Sequence, residues 1–255
     1  MSIANYIFLA LASGFAGFVD AIAGGGGLVQ LPALLIGLHD KAIPLILVTN
    51  KVPSIFGTYS AAINYFKKVK PDLRITSYMA LPAFVGSIAG ARLAAEIPTQ
   101  VFRPLILILL ILVSLYTIFR PHLGMEENLR FAHDKTKWIV ALSGLVIGFY
   151  DGIFGPGTGT FLVFILVGLI GYAFIKASAT AKMVNIATNL GAIISFQFTG
   201  HIWWRIGLIL AVANIAGGYV GSHLAIRGGS KLVRKFFLLV SAILIAKIGY
   251  DWFRN

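Results

Sequence analysis

Residues 17–35, GFVDAIAGGGGLVQLPALL, decide how this chain is built. One carboxylate, Asp20, lies in an otherwise apolar stretch, and four consecutive glycines, Gly24 to Gly27, interrupt the stretch soon after it. Because glycine releases the backbone from helical geometry, these glycines predict a break inside an apolar helix. At membrane depth, non-helical backbone is tolerated only against protein or a water-filled cavity. The stretch therefore predicts a broken helix beside a polar cavity.

The composition of the chain places its apolar segments in a membrane. Of 255 residues, 58% are hydrophobic and 12% are charged, and the mean hydropathy is +0.88. A soluble domain of this length needs more polar surface. Four segments carry no charge and approach or reach the roughly 20 residues that span a bilayer; they are 52–66, 75–91, 104–119 and 183–204. Because the apolar and polar residues do not alternate, we predict an all-α, polytopic membrane protein.

The second half of the chain repeats the first. At an offset of 131 residues, from Asp20 to Asp151, GFYDGIFGPGTGTFL (148–162) aligns with residues 17–31, and Lys51 aligns with Lys182. Chance similarity between apolar segments would not align such rare charges, so we infer an internal duplication. We predict a first transmembrane repeat at 1–119, a cytoplasmic linker at 120–137 and a second repeat at 138–255.

The basic residues predict that the two repeats have inverted topology. The loop 67–74 contains four basic residues and its counterpart 198–205 contains one, whereas 92–104 contains two and its counterpart 223–235 contains four. Cytoplasmic loops collect Lys and Arg, so equivalent loops should face opposite sides, as in secondary transporters with inverted repeats. We expect about eight to ten transmembrane segments, preferably ten, with residues 28–38 forming a short piece that either re-enters or spans.

Four ionisable residues recur inside the apolar segments: Asp20, Asp151, Lys51 and Lys182. Such groups are costly in lipid and normally pair with each other or line a pathway. We predict that the lysines bind an anionic substrate. The structural alternative is a pair of buried salt bridges that fixes helix register, or lysines that reach the membrane interface. For the aspartates, coupling to protons and a structural role both stay open.

The other candidate residues lie at the helix breaks or near them. A half-helix that begins after a break directs its free N–H groups and positive dipole end at the cavity. Asn185 and Asn189 share one helix face, where they either line a substrate path or join helices. Besides the lysines, the predicted substrate-binding residues are Asn50, Asn185, Asn189, Gln30, Thr158, Gly24, Gly25, Gly26, Gly27, Gly155 and Gly157. The pairs Gly86-x-x-x-Gly90 and Gly217-x-x-x-Gly221 instead predict close helix packing.

Other classes of protein fit the sequence poorly. The histidines lack metal-ligand spacing and the chain has no cysteine, so we predict no metal site and no cofactor. No Ser/His pair, HExxH motif or carboxylate cluster recurs in the apolar segments, so we predict no enzyme. The net charge of +12 arises in loops and does not indicate nucleic-acid binding. The N-terminus lacks a basic region before its apolar stretch, which predicts a retained helix and not a signal peptide.

The repeated motifs carry a resemblance to a known family. GFVDAIAGGGGLVQLPALL followed by TNK (49–51), and GFYDGIFGPGTGTFL followed by ATAKMVN (179–185), resemble the TauE/SafE superfamily of bacterial membrane transporters, and more closely its YfcA-like branch. The resemblance covers essentially the whole chain and implies export or uptake of sulfite, sulfoacetate and related organosulfur anions across the cytoplasmic membrane. It points to the glycine breaks and to Asn50, Lys51, Lys182 and Asn185. Pro156 and Thr158 replace glycines in the second break, so the two breaks need not contribute equally.

These observations lead to one functional hypothesis and an alternative. We predict a secondary transporter in the bacterial cytoplasmic membrane that carries a small anion, of sulfite or organosulfonate type, by alternating access of its two repeats. The alternative is a proton- or cation-coupled exchanger that uses Asp20 and Asp151 as ligands. The expected partners are the anion and the lipid bilayer, with no nucleic acid, and homo-oligomerisation is left open.

Overall fold

A computed structural model describes residues 1–38, 41, 43–94, 119, 124–198 and 202–254 of the chain. Throughout these ranges the regular structure is helical and includes no β-strand. The prediction of an all-α membrane protein is confirmed. The uncharged segment 104–119 lies outside the described residues, apart from Phe119.

The first half forms α1 to α4 in its described part. The hydroxyl of Ser2 accepts a hydrogen bond from the Asn5 N–H and so caps α1, and the Asp72 carboxylate caps α4 by accepting from the N–H groups of Arg74 and Ile75. The helices are α1 (Ile3–Ala23), α2 (Gly26–Gly37), α3 (Ile43–Val69) and α4 (Leu73–Leu93).

The second half forms α5 to α8. The π-helical turn Ile165–Ile170 extends α6, and Gly229, at φ 60° and ψ −163°, interrupts α8. The helices are α5 (His133–Ile153), α6 (Thr158–Phe164), α7 (Phe174–Gln197) and α8 (Trp204–Arg254). Helix α5 begins at His133, inside the predicted linker 120–137, whose bounds as a linker between two repeats stay a prediction. Asp134 lies in the first turn of α5, where a carboxylate favours helix formation.

Helix lengths and surfaces fit a bilayer. Among the residues that the structure describes, three segments combine sufficient length with sufficient hydropathy to span it: Ile3–Ala23, Asp134–Ile153 and Trp204–Ile243. By contrast, α2 has 12 residues, or roughly 18 Å at 1.5 Å per residue, and is shorter than the hydrocarbon core. Large apolar side chains such as Leu11, Leu81 and Val212 are exposed while Lys51 and Lys182 are buried. The distribution is the one expected of a protein surrounded by lipid.

The helices of the two halves correspond and pack reciprocally. Helices α3 and α7 begin at Ile43 and Phe174, and α4 and α8 begin at Leu73 and Trp204, both pairs at the offset of 131. Helix α1 packs against α8, and their counterparts α5 and α4 pack against each other. This reciprocity agrees with the duplication, while the inverted orientation stays a prediction.

The two GxxxG pairs bring these helices into main-chain contact. A Cβ on Gly86 would lie 2.3 Å from the main-chain oxygen of Leu145, and one on Gly217 would lie 1.8 Å from that of Gly14. Gly90 and Gly221 make the matching contacts with Phe149 and Phe18. Their predicted role in close helix packing is confirmed.

Candidate substrate site between the two halves

The glycine runs break the helices where the sequence predicts. Helix α1 ends at Gly24, whose φ of 80° is left-handed, and its N–H donates to the Asp20 carbonyl. In the second half, Gly155 and Gly157 have φ of 90° and 89°, and α6 begins directly after them. Only glycine adopts such angles without strain, which explains why glycines occupy these positions.

The two breaks contact each other in the protein interior. The Thr160 N–H donates to the Gly24 carbonyl at 3.1 Å, across the boundary between the halves. A Cβ on Gly24 would lie 2.3 Å from the main-chain carbon of Gly159, and a Cβ on Gly159 would lie 2.6 Å from Gly24 Cα. The crossing leaves no room for a side chain at either position.

Two buried ion pairs join the halves beside this crossing. Lys51 Nζ lies 2.9 Å from Asp151 Oδ2, and Lys182 Nζ lies 2.9 Å from Asp20 Oδ2. Each lysine also donates to the main-chain oxygen of its aspartate, at 2.6 Å for Lys51 and Asp151. Each pair takes its lysine from one half and its aspartate from the other. The two pairs are therefore equivalent in the repeat, because Lys182 and Asp151 lie 131 residues after Lys51 and Asp20.

The four charges compensate each other. The side chains of Lys51 and Asp151 are 5% and 3% exposed, and those of Lys182 and Asp20 are 0% and 14% exposed. Charges this deep are stable only when they are paired and hydrogen-bonded. The structural alternative predicted such salt bridges, and neither lysine side chain extends to the protein surface. Whether the lysines also bind substrate depends on what adjoins them.

A small polar cavity adjoins the Lys51–Asp151 pair. Its volume is about 20 Å³, which is enough for about one water molecule. Most of the predicted site residues line it: Asp20, Gly24, Gly27, Asn50, Lys51, Asp151, Gly155, Gly157, Thr158, Asn185 and Asn189. Both halves contribute to the lining, so the structure brings these residues together in one place.

Four predicted residues lie away from this cavity. Lys182 is fully buried behind Asp20. The side-chain oxygen of Gln30 accepts from Asn214 Nδ2 at 2.9 Å, which ties α2 to α8. A Cβ on Gly25 would lie 2.7 Å from a Val240 methyl carbon, and one on Gly26 would lie 2.5 Å from Asp20 Cβ. These contacts hold the break in place.

The amides on α7 point to a lining role. Asn189 Nδ2 donates to the main-chain and side-chain oxygens of Asn185, at 2.8 and 2.9 Å, so these bonds stay within one helix. Among the described residues, the side-chain oxygen of Asn50 has no hydrogen-bond partner, although Asn50 is 5% exposed. Because a buried acceptor needs a donor, a bound water or substrate would satisfy it.

Sequence reasoning missed two polar residues here. Ser54 lines the cavity, and the Thr58 hydroxyl donates to Asp20 Oδ2 at 3.1 Å. At the offset of 131 they align with Asn185 and Asn189. Comparing chemical roles across the repeat, and not only identical residues, would have found both.

Comparison with known proteins identifies the family. The model of the family described as sulfite exporter TauE/SafE matches residues 9–248. A probable membrane transporter protein, ORF9, of a Sinorhizobium species is 37% identical over 96% of this chain and 92% of its own length. The probable membrane transporter protein YfcA of Escherichia coli K12 is 36% identical over 92% and 86%, and one from Haemophilus influenzae is 35% identical over 93% and 92%. No solved structure matches the chain.

These names describe transporters and not enzymes, in agreement with the sequence prediction. The relatives match nearly the whole chain, and the family model covers residues 9–248, the range that contains both glycine breaks and both ion pairs. The chain is a membrane transporter that belongs to the sulfite exporter TauE/SafE family.

Proposed function

We propose that this chain is a secondary transporter for a small anion of sulfite or organosulfonate type, which binds between the two halves and crosses by alternating access. The observation that carries the proposal is the polar cavity at the crossing of the helix breaks, which residues of both halves line and to which Lys51 contributes. The family description as a sulfite exporter supports the choice of substrate class.

The end of a helix adds to the attraction for an anion. Helix α2 begins at Gly26 without a side-chain cap, and Gly27 in its first turn lines the cavity. Uncapped N–H groups and the positive end of a helix dipole stabilise a nearby negative charge. An anion in the cavity would therefore meet Lys51 and the N-terminus of α2.

The size of the cavity bears on the conformational state of the transporter in its transport cycle. It has room for about one water, so an anion with several oxygens fits only after the halves separate. We interpret the structure as a closed state between outward-facing and inward-facing forms. Both ion pairs cross the boundary that such a motion would open.

The test is anion uptake by purified protein in liposomes. Losing a charged hydrogen-bond donor costs about 1.5–3 kcal/mol, so Lys51→Ala should reduce sulfite uptake about tenfold or more. Lys67→Ala, an exposed lysine on the same helix, serves as the matched control and should leave uptake unchanged. Melting temperatures in detergent check that each variant is folded. If the double variant Lys51→Ala, Lys182→Ala moved sulfite, thiosulfate and sulfonates at the original rate, the proposal would be wrong.

A second candidate function is a proton- or cation-coupled exchanger. The observation in its favour is that both Asp20 and Asp151 line the cavity. In that case the carboxylates are the ligands and the lysines are their counter-charges. Asp20→Asn and Asp151→Asn would then abolish cation or proton exchange in liposomes without added anion, whereas the anion proposal predicts no such exchange in the unmodified protein.

A further inference from the structure

We propose that Asp151 occupies, on Lys51, the position that the transported anion takes, and that Asp151 accepts one proton when the anion displaces it. This inference rests on the proposed anion transport and adds its coupling: each monovalent anion crosses together with one proton. In the carrier without substrate, the Asp151 carboxylate is then the anion bound to Lys51.

The charge of the site requires compensation for an added anion. Asp20, Asp151, Lys51 and Lys182 sum to zero, and all four are buried or nearly so. A monoanion would leave one net negative charge in a low-dielectric interior, where an uncompensated charge is strongly unfavourable. One proton on a carboxylate restores neutrality. The step balances because the carboxylate gains a proton and becomes a carboxylic acid, while the lysine stays an ammonium and changes partner.

The two ion pairs differ in their access to the cavity. Lys51 lines the cavity, whereas Lys182 is fully buried and its ammonium is held by both the carboxylate and the main chain of Asp20. Within the part of the chain that the structure describes, Lys51 is the ammonium that an entering anion reaches first. The carboxylate that the anion must displace is therefore Asp151.

Thr158 prepares a partner for the protonated form of Asp151. Its hydroxyl oxygen lies 2.7 Å from Asp151 Oδ1 and 2.6 Å from the Gly155 carbonyl oxygen. A hydroxyl has one proton, so while Asp151 is ionised the hydroxyl donates to its carboxylate, and the Gly155 carbonyl accepts from the Thr158 N–H at 3.1 Å. When Asp151 is protonated, it donates to the Thr158 oxygen and the hydroxyl donates to Gly155. The Gly155 carbonyl then accepts from both the N–H and the hydroxyl of Thr158, so the protonated carboxyl has an acceptor and no polar group of the cluster loses its partner.

Asp20 lacks this arrangement. Its Oδ2 accepts from Lys182 Nζ at 2.9 Å and from the Thr58 hydroxyl at 3.1 Å, and the described residues offer Thr58 no second acceptor. This difference assigns to Asp151 the role of the carboxylate that leaves its lysine and accepts a proton, whereas the Asp20–Lys182 ion pair stays intact during transport.

The other charged or titratable groups around Asp151 fit this assignment. Lys51 faces it from α3, and Asp20 lies at the same cavity from α1, with Lys182 from α7 behind Asp20. Tyr150, the neighbour on α5, donates its hydroxyl to the Pro156 carbonyl at 2.5 Å. An added anion would therefore face two carboxylates, of which Asp151 alone has a waiting acceptor for its proton.

The experiment measures accumulation of radiolabelled methanesulfonate and sulfite in liposomes, with the membrane potential clamped. Methanesulfonate is a permanent monoanion, so it brings no proton of its own. For one proton per anion, an inside-alkaline gradient of about one pH unit should give about tenfold accumulation at equilibrium. Asp151→Asn should lose the gradient-driven accumulation, and Asp20→Asn should keep the tenfold ratio even if its initial rate falls.

Each outcome decides between the two proposals. If the unmodified protein moves neither anion, the proposed function fails and this inference fails with it. If it moves either anion without response to the pH gradient, the proposed function stands and the coupling is wrong. Should Asp151→Asn fail to fold, Thr158→Val replaces it, because loss of the hydroxyl shifts the pH profile of uptake if Thr158 serves the protonated carboxyl. An unchanged profile in Thr158→Val would overturn the assignment.

Discussion

At the scale of single residues, the buried lysines act on helix ends as well as on carboxylates. The main-chain oxygens of Asp20 and Asp151 lie in the last turns of α1 and α5, where the helix dipole is negative. Each lysine therefore neutralises a carboxylate of the opposite half and also interacts favourably with the negative end of the helix that carries this carboxylate. Because removing either charge also loosens this contact, a variant that keeps every charge is a cleaner test of the site.

Gly155→Ala is such a variant. The new Cβ would lie 2.4 Å from Lys51 Nζ and 3.2 Å from Asp151 Oδ1, so the ammonium has to move. The φ of 90° adds strain of about 1–2 kcal/mol for a residue with a side chain. We expect a lower melting temperature in detergent and a loss of sulfite uptake in liposomes of about tenfold.

The control for this variant is Gly229→Ala, in the interruption of α8. Gly229 also has a positive φ, of 60°, but a Cβ there meets no atom within 4 Å. It should lower the melting temperature through backbone strain alone and leave uptake unchanged. Normal uptake by Gly155→Ala would mean that the position of the Lys51 ammonium does not matter for transport.

The sequence predicts the charged residues of the site better than their partners. Asp20, Lys51 and their repeats stand out because charge is rare in apolar segments. The pairing of Lys51 with Asp151, and not with Asp20 in its own half, depends on how the halves pack, and no local pattern encodes that. Ser54 stayed hidden because serine is common and its counterpart, Asn185, is a different residue type.

At the scale of helices, the breaks were predictable and some boundaries were not. Glycine and proline change backbone freedom locally, so the ends of α1 and α5 follow from the sequence. The charged residues near His133 instead resembled a linker, although α5 begins there. The π-helical turn Ile165–Ile170 has an apolar sequence like its surroundings and gave no signal.

The matched glycine contacts predict matched effects of substitution. Gly86→Leu would place a side chain against the main-chain oxygen of Leu145, so α4 and α5 would have to separate. Gly217→Leu would do the same against the main-chain oxygen of Gly14 and would separate α8 from α1. Such overpacking costs about 1–3 kcal/mol or more, and we expect a clear fall in melting temperature for both variants. Leu81→Ala, at an exposed position on α4, should change it little. Equal melting temperatures for Gly86→Leu and Leu81→Ala would contradict the close-packing role.

At the scale of the whole molecule, the two halves pack against each other through equivalent helices. Helices α1 and α8 pack together, as do α5 and α4, and the ion pairs cross in the same reciprocal way. An approximate two-fold relation between the halves would give all of these contacts, and that relation stays a prediction. If its axis lies in the membrane plane, exchanging the conformations of the two halves converts an outward-facing carrier into an inward-facing one.

The direction of that axis can be tested by labelling, since the chain has no cysteine of its own. The positive-inside rule places Lys68 and Lys231 on the cytoplasmic side and Phe198, at the counterpart of the Lys68 loop, on the opposite side. All three side chains are exposed, so single cysteines there should react with a membrane-impermeant maleimide. In intact cells we expect Phe198→Cys to be labelled, and Lys68→Cys and Lys231→Cys only after the membrane is opened. Labelling of Phe198→Cys and Lys68→Cys from the same side would make the repeats parallel, and alternating access by exchange of the halves would then have no symmetry to support it.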